Sequence, residues 1–557
     1  MPNLPSSNAP EPGSTRSSVY ARGVSHAKSE IKWLDLGLDT PLPLPTALIS
    51  QNASQSRLPC PPNVQKYASP LQWSTQRKWI VTWISCVVTT VACYSAGEMS
   101  PASEELTSEW DITLTAYNSG VTLFCIGFGL APMVLATFSE INGRKPVFIG
   151  SGVLFCACTV ACGGTHVFAG LLVARLLQGI GASTFSTMVG GVISDIYSPE
   201  QRNVPMALFS SAALLGTGLA PLISSVVVYH STWRWVYYSQ GIVSGFCVVV
   251  MILFFQETRN TVLLQRKADA LNKYYEKLEQ LGYYGVILAD KDEVRRIRWT
   301  QRDGEKHDSV REMIKASCYR PFHMLVTEPV VFFFSLWLSF SWAVLYLQFS
   351  AVPLVFRMNH NFNTEQIGAV FTSMCCGIIL ITVVSIYQER MANHFGLLPK
   401  TPEARLYFAC LQAPLVPIGL FWFGWTSFPS VHWILPTIAI GCLAMGIFSV
   451  YLAVFNYLAD AYGPQASSAI AAQSFCRNIL GGIFPLITDA MFTNLGYPAA
   501  SSLLGGIAAV LTLVPWVLVL YGPAIRARSK MTVVRLMRLL ISRLLLIMAV
   551  GYVELSV

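Results

Sequence analysis

Charged residues are scarce in this chain of 557 residues. Lys, Arg, Asp and Glu together make up 12% of it, against roughly a quarter of a typical soluble domain. So few charges cannot cover the surface of a water-soluble protein of this length. Because 53% of the residues are apolar and the mean hydropathy is +0.49, the composition excludes an ordinary soluble enzyme and predicts a polytopic membrane protein.

Paired histidines and grouped cysteines are also lacking. No two of the 8 histidines lie three or four residues apart, so a membrane-embedded enzyme built on a histidine box is not supported. Of the 14 cysteines, all but Cys60 and Cys318 lie in or at the edge of an apolar run. This distribution predicts neither a disulfide framework nor a metal site.

Long uncharged runs are what the sequence has in their place. Twelve runs of about 18 or more mostly uncharged residues are each long enough to cross a hydrocarbon core of roughly 30 Å. They cover approximately residues 79–97, 114–138, 147–164, 168–193, 204–229, 235–255, 330–355, 367–387, 406–428, 431–458, 466–492 and 499–521. The pattern predicts an all-α membrane protein with twelve transmembrane helices in two six-helix bundles.

These runs divide the chain into five segments. We expect a disordered N-terminal tail (1–78), an N-terminal bundle (79–256), a central loop (257–328), a C-terminal bundle (329–521) and a basic amphipathic tail (522–557). The first tail is rich in Pro and Ser, which is typical of disorder. The last tail contains either an interfacial helix between residues 533 and 550 or an extension without function, and the sequence leaves both open.

The central loop contains one amphipathic pattern. Apolar residues recur at helical spacing and predict a helix at the membrane surface or on the ends of the bundle; they are Leu271, Tyr274, Tyr275, Leu278 and Leu281. Residues 290–312 are densely charged with both signs, so we expect a solvated connector there.

The basic residues predict the orientation in the membrane. Of the 38 Lys and Arg residues, 34 fall in the tails and in loops on one side, whereas only Arg234 and Arg357 lie in loops on the other. Cytoplasmic loops collect Lys and Arg, so we expect both termini to be cytosolic. The net charge of +8 is therefore explained by topology, and we expect no nucleic-acid partner.

Two arginines and two acids are candidates for the transport pathway. Arg175 and Arg477 lie inside predicted spans, where a charge needs a partner or a watery cavity. Glu98 and Asp489 are the acids closest to the outer mouth of the predicted cavity. Because burial favours the neutral form of a carboxylic acid, either acid is a candidate proton carrier.

Small residues surround the first of these arginines and fill the fifth span. Gly179 and Gly181 follow Arg175, and the fifth span contains Gly216, Gly218 and Pro221. Glycine allows helices to approach closely, and proline bends them. We expect these positions to form helix-packing motifs.

Several motifs in order resemble a known family. They are SEINGRKP at 139–146, LVARLLQGIG at 172–181, ETRNTVLLQRKA after the sixth span, PEARL before the ninth span and ASSAIAAQSFCRNILGGIFPLITDAMFTNLG through the eleventh. From about residue 70 to 530, the sequence resembles the major facilitator superfamily. Within it, the sequence is most similar to the twelve-helix drug:proton antiporters of fungi, in the branch of polyamine and multidrug exporters.

The resemblance implies roles for particular residues. Glu140, Arg144 and Asp195 would form a cytoplasmic charge network that stabilises the outward-open state, and Arg175 would face the central cavity. The fifth span departs from the family, which usually has two Gly-Pro pairs and then paired glycines. Those three positions read Gly216-Thr217, Ala220-Pro221 and Ser224-Ser225 here.

The function implied is proton-coupled efflux of a small organic molecule, such as a fungal metabolite, toxin or drug, by alternating access. The partners expected are the lipid bilayer, the substrate and protons. We expect a monomer in the plasma membrane, with the vacuolar or another internal membrane as the alternative, and no metal or cofactor. A polyamine exporter and a non-transporting sensor remain alternative interpretations.

Aromatic residues of the seventh span would offer apolar contacts to a substrate; they are Phe332, Phe333, Phe334, Trp337, Phe340, Trp342 and Tyr346.

Overall fold

A computed structural model describes residues 31–37, 60–198, 200–280, 286–287, 294–301, 310–396, 401–462 and 466–528. The chain divides into two units. A small unit comprises Met1–Trp73 and Thr258–Ser309, and a helical unit comprises Ser74–Glu257 and Val310–Val557. The interfacial helix considered for residues 533–550 lies outside the described residues.

The first half of the helical unit contains six long helical segments, which we number as spans in chain order. They are span 1 (Thr75–Tyr94), span 2 (Leu114–Asn142), span 3 (Arg144–Gly164), span 4 (Phe168–Thr187 and Val189–Ile196), span 5 (Asn203–His230) and span 6 (Arg234–Phe254). A short helix, Ser103–Trp110, connects spans 1 and 2.

The second half repeats this arrangement. It comprises span 7 (Pro329–His360), span 8 (Thr364–Val370 and Thr372–His394), span 9 (Tyr407–Gln412 and Leu415–Thr426), span 10 (Ile434–Tyr462), span 11 (Ala466–Leu495) and span 12 (Tyr497–Leu511 and Leu513–Arg528). The helix Val310–Thr327 precedes span 7, and the short 3₁₀ helix Pro402–Leu406 leads into span 9.

The helix contacts show that the two halves are built alike. In the first half, span 1 packs on span 5, span 2 on span 4, and span 3 on span 6. In the second half, span 7 packs on span 11, span 8 on span 10, and span 9 on span 12, which is the same pattern shifted by six. The halves meet where span 2 packs on span 11 and span 5 on span 8. Any pathway between the halves is therefore bordered by these four spans.

Eleven of the spans are long and apolar enough to cross a membrane by length and composition. Span 1 is a helix of 20 residues at the predicted place, but it lies outside those eleven. Its first turn contains Arg77 and Lys78, and these charges lower its mean hydropathy. Many large apolar side chains of the helical unit point outward, for example Phe246 and Leu520, as expected for surfaces that contact lipid.

The small unit corrects two expectations from the sequence. Ile31–Leu36 forms strand β1 within the segment expected to be disordered, and Val294–Gln301 forms strand β3 within the expected solvated connector. The two strands pair in parallel, while Val286–Ile287 (strand β2) pairs antiparallel with β3, giving the order β1-β3-β2. The connector contains a strand because its apolar residues alternate with its charged ones, which places Ile297 and Trp299 on one face.

The amphipathic helix of the central loop is present as Asn260–Gln280, with Leu281 outside the described residues. Its residues Leu271, Tyr275 and Leu278 pack with Leu36, Ile297 and Trp299 in one apolar core, so a short sheet covers this face. Its expected place at the membrane surface or on the ends of the bundle stays a prediction.

An ion-pair cluster also stabilises the small unit. Glu279 of the loop helix accepts hydrogen bonds from Arg296 and Arg298 of strand β3. Burial alone would raise the pKa of Glu279, but these hydrogen bonds outweigh it and hold the pKa below its ordinary value.

Candidate functional site

The most deeply buried ion pair of the helical unit joins Arg175 to Glu98. Arg175 Nη1 lies 2.7 Å from Glu98 Oε1, and both side chains are fully buried. Arg175 belongs to span 4, while Glu98 lies in the turn that follows span 1. The pair therefore brings together two of the four residues that the sequence singled out for transport.

Neutral polar side chains surround this pair. Gln178, one turn after Arg175, donates to Glu98 Oε1 at 3.2 Å and to Thr159 at 3.0 Å, and it accepts from Arg175 at 3.0 Å. Arg175 also donates to the backbone carbonyl of Ser95, whose hydroxyl accepts from Gln240. We missed these partners in the sequence, although Gln178 stands three residues after Arg175, on the same face of a helix.

One oxygen of Glu98 is not used by this network. Oε1 accepts both hydrogen bonds, whereas Oε2 has no hydrogen-bond partner among the described residues. Two nitrogens of Arg175, Nε and Nη2, are likewise without a hydrogen-bond partner there, and the guanidinium lies 4.8 Å from the ring centre of Phe124. Glu98 can therefore take up a proton at Oε2 without first losing a hydrogen bond.

Glycines position Arg175 by bringing three helices close together. A Cβ atom on Gly179 would lie 2.1 Å from the backbone oxygen of Phe124 in span 2, and one on Gly181 would lie 2.7 Å from the backbone nitrogen of Phe155 in span 3. Gly127 of span 2 has the reciprocal contact, 2.3 Å from the backbone oxygen of Leu176. Backbone atoms cannot move aside as side chains do, so these crossings require glycine.

The fifth span uses its small residues in two different ways. A Cβ atom on Gly216 would lie 2.3 Å from the backbone oxygen of Thr90 in span 1, whereas one on Gly218 would meet side-chain atoms of Cys375 and Met374 at 3.1 and 3.3 Å. Pro221 is buried within span 5, which continues past it to His230. Gly216 thus serves packing within the first half, and Gly218 faces the second half.

Arg477 has different surroundings. It is fully buried in span 11, and its guanidinium carbon lies 4.5 Å from the ring centre of Trp342, 5.2 Å from Tyr451 and 6.0 Å from Phe455. Its hydrogen-bond partners among the described residues are the hydroxyls of Ser186 and Ser474, both at 3.4 Å. Asp489, on the same helix, is exposed and does not pair with it.

The end of the bundle that carries Arg144 contains further ion pairs. Arg144 Nε lies 3.1 Å from Asp195, and its Nη1 donates to Ser139. Glu140 is half-buried at the end of the same helix as Ser139. The backbone N–H of Arg144 donates to Glu257, which also accepts from the N–H of Lys145.

Glu257 was missed as a functional candidate although it stands in the ETR motif. It accepts from the first N–H groups of span 3, where a helix favours negative charge. Gly143, with φ of 99°, brings the chain so close that a Cβ atom there would lie 2.2 Å from a Glu257 oxygen. The charge network at this end therefore includes the end of span 6.

The second half has a matching pair that also reaches the first half. Arg405 of the PEARL motif donates to Asp460 at 3.0 Å and to Glu389 at 3.1 Å. Arg202, before span 5, lies 3.6 Å from the same Asp460. Asp460 therefore connects the halves at the Arg144 end, a contact that sequence analysis did not find because its partners lie in different halves.

The opposite end has contacts between the halves as well. Glu104 pairs with Arg357, and Ser100 donates to the backbone oxygen of Phe349. Beside them lies a cavity of about 280 Å³ whose lining includes Asn118, Arg357 and Asp489. We call it the vestibule. Asp489 thus lies on its wall, and Glu98 is not part of its lining.

Of the seven span 7 aromatic residues expected to contact a substrate, Phe332 and Phe333 are about half exposed, whereas the other five are buried. The ring centres of Trp342 and Tyr346 lie 6.3 Å apart in a tilted arrangement, and Trp342 contacts Arg477 as described. A larger groove, of about 970 Å³, lies between spans 7 and 12 and is lined mainly by apolar residues such as Phe333 and Val517. Both of these side chains point outward, so this groove faces the lipid side of the second half.

The sequence profile of the Major Facilitator Superfamily matches residues 79–485. The chain belongs to the major facilitator superfamily. The repeated six-span halves are the architecture of this superfamily, and the match covers all spans from span 1 into span 11. Of the five buried side chains that form the two arginine sites, Glu98, Arg175, Trp342, Tyr451 and Arg477, every one lies within the matched region.

Curated relatives within the superfamily are fungal transporters. The multidrug transporter mdrA of Aspergillus fumigatus is 32% identical over 470 residues, which cover 83% of this chain and 74% of that protein. The multidrug transporter FLR2 of Candida glabrata is 30% identical, covering 83% and 77%. The probable drug/proton antiporter YHK8 of Saccharomyces cerevisiae is 30% identical, covering 82% and 86%.

Solved structures of superfamily members share the fold. The xylose transporter XylE of E. coli, in a partially occluded inward-open conformation, aligns with a TM-score of 0.57 at 14% identity, covering 79% of this chain and 98% of that one. The human organic anion transporter MFSD10 aligns with a TM-score of 0.52 at 15% identity, covering 79% and 99%. The protein is thus a multi-pass membrane transporter of small molecules, and its relatives and fold are those of transporters and not of enzymes.

Proposed function

We propose that the protein is a proton-coupled efflux pump that exports a small organic molecule by alternating access. The observation that supports this most is the fully buried Arg175–Glu98 pair, in which one carboxylate oxygen is left without a hydrogen-bond partner among the described residues. The relatives are named as efflux pumps and multidrug transporters, and one as a probable drug/proton antiporter. The plasma membrane is the location that we propose for it.

In this mechanism Glu98 is the proton carrier and Arg175 sets its charge state. With Glu98 ionised, the two charges attract each other in a fully buried site, where the low dielectric makes such attraction strong. A proton arriving at Oε2 neutralises the carboxylate and leaves Arg175 an unpaired cation. The two states therefore have different interactions around spans 1 and 4, and a proton can drive a conformational change only through such a difference.

Alternating access requires contacts that break in turn at the two ends of the bundle. At the Arg144 end, Arg202 and Asp460 join the halves, and at the opposite end Glu104 and Arg357 do so. Each pair is at least partly accessible to water, which lowers the cost of separating its charges. We propose that opening toward either side breaks one of these pairs and keeps the other.

The substrate class that we propose is a small, largely apolar organic molecule without a positive charge. The buried Arg477 has no acidic partner among the described residues and would repel a cation, and aromatic side chains of spans 7 and 10 surround it. A polyamine exporter would require acids along the pathway to neutralise its substrate. The exposed Asp489 of the vestibule is such an acid, but the vestibule also contains Arg357, so we place this function second.

The test is transport by purified protein in lipid vesicles with an imposed pH gradient of either direction. We expect vesicles to accumulate apolar organic compounds against their concentration gradient only when the gradient has the correct sign. Glu98→Gln should abolish the dependence on the gradient while facilitated exchange of substrate continues. Glu276→Gln, the same change at an exposed position of the loop helix, is the matched control and should behave as the unchanged protein.

Three results would contradict the proposal. Accumulation that persists when the gradient is collapsed would exclude proton coupling. Binding of compounds without any flux would favour the sensor interpretation. Unchanged coupling in both Glu98→Gln and Asp489→Asn would exclude both candidate proton carriers.

A further inference from the structure

The aromatic residues around Arg477 hold a cation that has no acidic partner among the described residues. The rings of Trp342 and Tyr451 lie within 5.2 Å of the guanidinium, and that of Phe455 at 6.0 Å. The π-faces of these rings attract a cation. They do not supply the acceptor atoms that the N–H groups of an arginine require.

Most of the donor capacity of Arg477 is unused. Nε and Nη1 have no hydrogen-bond partner among the described residues, and Nη2 has only the two hydroxyls at 3.4 Å. Contacts of that length are weak. A fully buried cation is normally paired with an acid or hydrogen-bonded to several acceptors. The guanidinium of Arg477 therefore has donors to spare for a bound ligand.

Other donors beside Arg477 are unused as well. The indole Nε1 of Trp342 and the hydroxyl of Tyr451 are buried without a partner among the described residues. So are both amide atoms of Gln473, which lies one turn before Arg477 on the same helix. An arginine, an indole N–H, a phenol O–H and an amide can all donate, and a carboxylate is the simplest group that accepts from several of them at once.

This cluster lies where the two halves of the helical unit meet. Ser186 of span 4, which contacts Arg477, belongs to the first half, whereas the three rings belong to the second. Phe209 of span 5 packs on Tyr451 and Phe455 from the first half. Separation of the halves would therefore uncover the guanidinium and the rings together.

We propose that Arg477, Trp342 and Tyr451 form a binding site for the carboxylate of an aromatic organic anion. The guanidinium, the indole N–H and the phenol O–H donate to the carboxylate, and the rings that now contact the guanidinium contact the apolar body of the ligand. The inference rests on the proposed function in one respect, because it requires the halves to separate. It adds the charge and the chemical class of the molecule that binds there.

The test compares three probes of the same size that differ in charge. The dissociation constants of 1-naphthoate, 1-naphthylmethanol and 1-naphthylmethylammonium are measured on the purified full-length protein in detergent by titration calorimetry. We expect 1-naphthoate to bind at least about tenfold more tightly than the alcohol, as a charge-assisted hydrogen bond in a dry site would give. The ammonium compound should bind most weakly.

Substitutions separate an anion site from a structural arginine. Arg477→Gln should bring the ratio of the two dissociation constants to about one, and Arg477→Lys should retain part of the preference, because lysine keeps the charge but loses the fork of donors. Trp342→Phe keeps an aromatic ring but removes one hydrogen-bond donor. We expect it to raise the dissociation constant of 1-naphthoate about threefold and that of the alcohol much less. Arg320→Gln, at an exposed position, is the matched control.

The outcomes are distinguishable from those of the transport test. The anion site is excluded if Arg477→Gln weakens the binding of 1-naphthoate and of the alcohol equally. It is also excluded if the unchanged protein shows no preference for 1-naphthoate. Gradient-driven transport without this preference would overturn the anion site and leave the efflux pump intact. A preference that depends on Arg477 without gradient-driven transport would support the site and overturn proton coupling.

Discussion

The two arginines buried in the helical unit, Arg175 and Arg477, are both fully buried and both contact aromatic rings. Arg175 forms an ion pair with the carboxylate of Glu98 at 2.7 Å and lies where close backbone contacts join three helices. Arg477 has only two hydroxyl partners at 3.4 Å among the described residues and lies where the halves meet. The same residue type is thus neutralised in one region and left uncompensated in the other.

This difference indicates that the two regions have different roles. A paired charge in a rigid site can respond to one proton, because protonation of its partner changes the net charge of the site. An unpaired charge at an interface between moving bodies can attract a counter-ion that arrives with the substrate. The first region is therefore suited to proton coupling and the second to substrate binding.

Breaking the paired site should have the largest effect. Arg175→Met leaves Glu98 buried without its cation, and removing one partner of a buried pair costs about 3–5 kcal/mol of folding free energy. We expect a correspondingly lower free energy of unfolding, measured by denaturant titration in detergent. The double variant Arg175→Met/Glu98→Gln should recover most of the loss. A single variant as stable as the unchanged protein would show that the pair is not ionised.

The helix crossing beside Arg175 should tolerate change less than the interface between halves. Gly179→Ala forces a Cβ atom against the Phe124 backbone oxygen, so we expect a loss of about 1–3 kcal/mol in the free energy of unfolding. Gly218→Ala is the matched control, because its Cβ atom would meet only side chains at 3.1 Å or more. Equal losses in the two variants, measured by thermal unfolding, would contradict a rigid first region.

Separation of the halves should depend on the contact that Arg202 forms with Asp460. Arg202→Gln removes one charge at 3.6 Å but leaves Asp460 paired with Arg405. We expect a shift of about 1 kcal/mol, or roughly fivefold, toward conformations open at the Arg144 end. Distances between spin labels on the two halves at this end measure the shift, with Arg320→Gln as the control. An unchanged distance distribution would exclude this pair as a latch.

Removing the unpaired arginine should change stability least. Arg477→Met leaves no carboxylate without its partner and removes two nitrogens that lack acceptors among the described residues. We expect the free energy of unfolding to stay within about 1 kcal/mol of the unchanged protein or to rise. Denaturant titration beside Arg175→Met gives the comparison directly. A loss as large as that of Arg175→Met would mean that Arg477 stabilises the fold and is not held for a ligand.

Much of the fold could be predicted because the membrane restricts the sequence strongly. A helix that crosses lipid must be long and apolar, so span positions are visible as uncharged runs. The small unit was predicted poorly for the opposite reason. Its strand β1 has six residues, and its partner β3 lies more than 250 residues further along the chain, so neither has a local signal strong enough to indicate the pairing.

The candidate site was predicted as a set of residues but not as an arrangement. Arg175, Arg477 and Glu98 stand out because charges are rare in and beside the spans. Nothing in their positions indicates that Glu98 pairs with Arg175, or that Arg477 lies among Trp342, Tyr451 and Phe455. Asp489 resembled Glu98 as an acid near the end of a span, yet it lies on the exposed wall of the vestibule.

The sequence alone determined the class of protein, the number of spans and which charges are exceptional, because the low dielectric of lipid excludes ionised side chains from most positions. Only the tertiary structure decided which exceptional charge is paired. Glu98 is 77 residues from Arg175, and Ser186 is 291 residues from Arg477. Helical periodicity relates residues three or four apart, whereas these contacts depend on how separate helices pack.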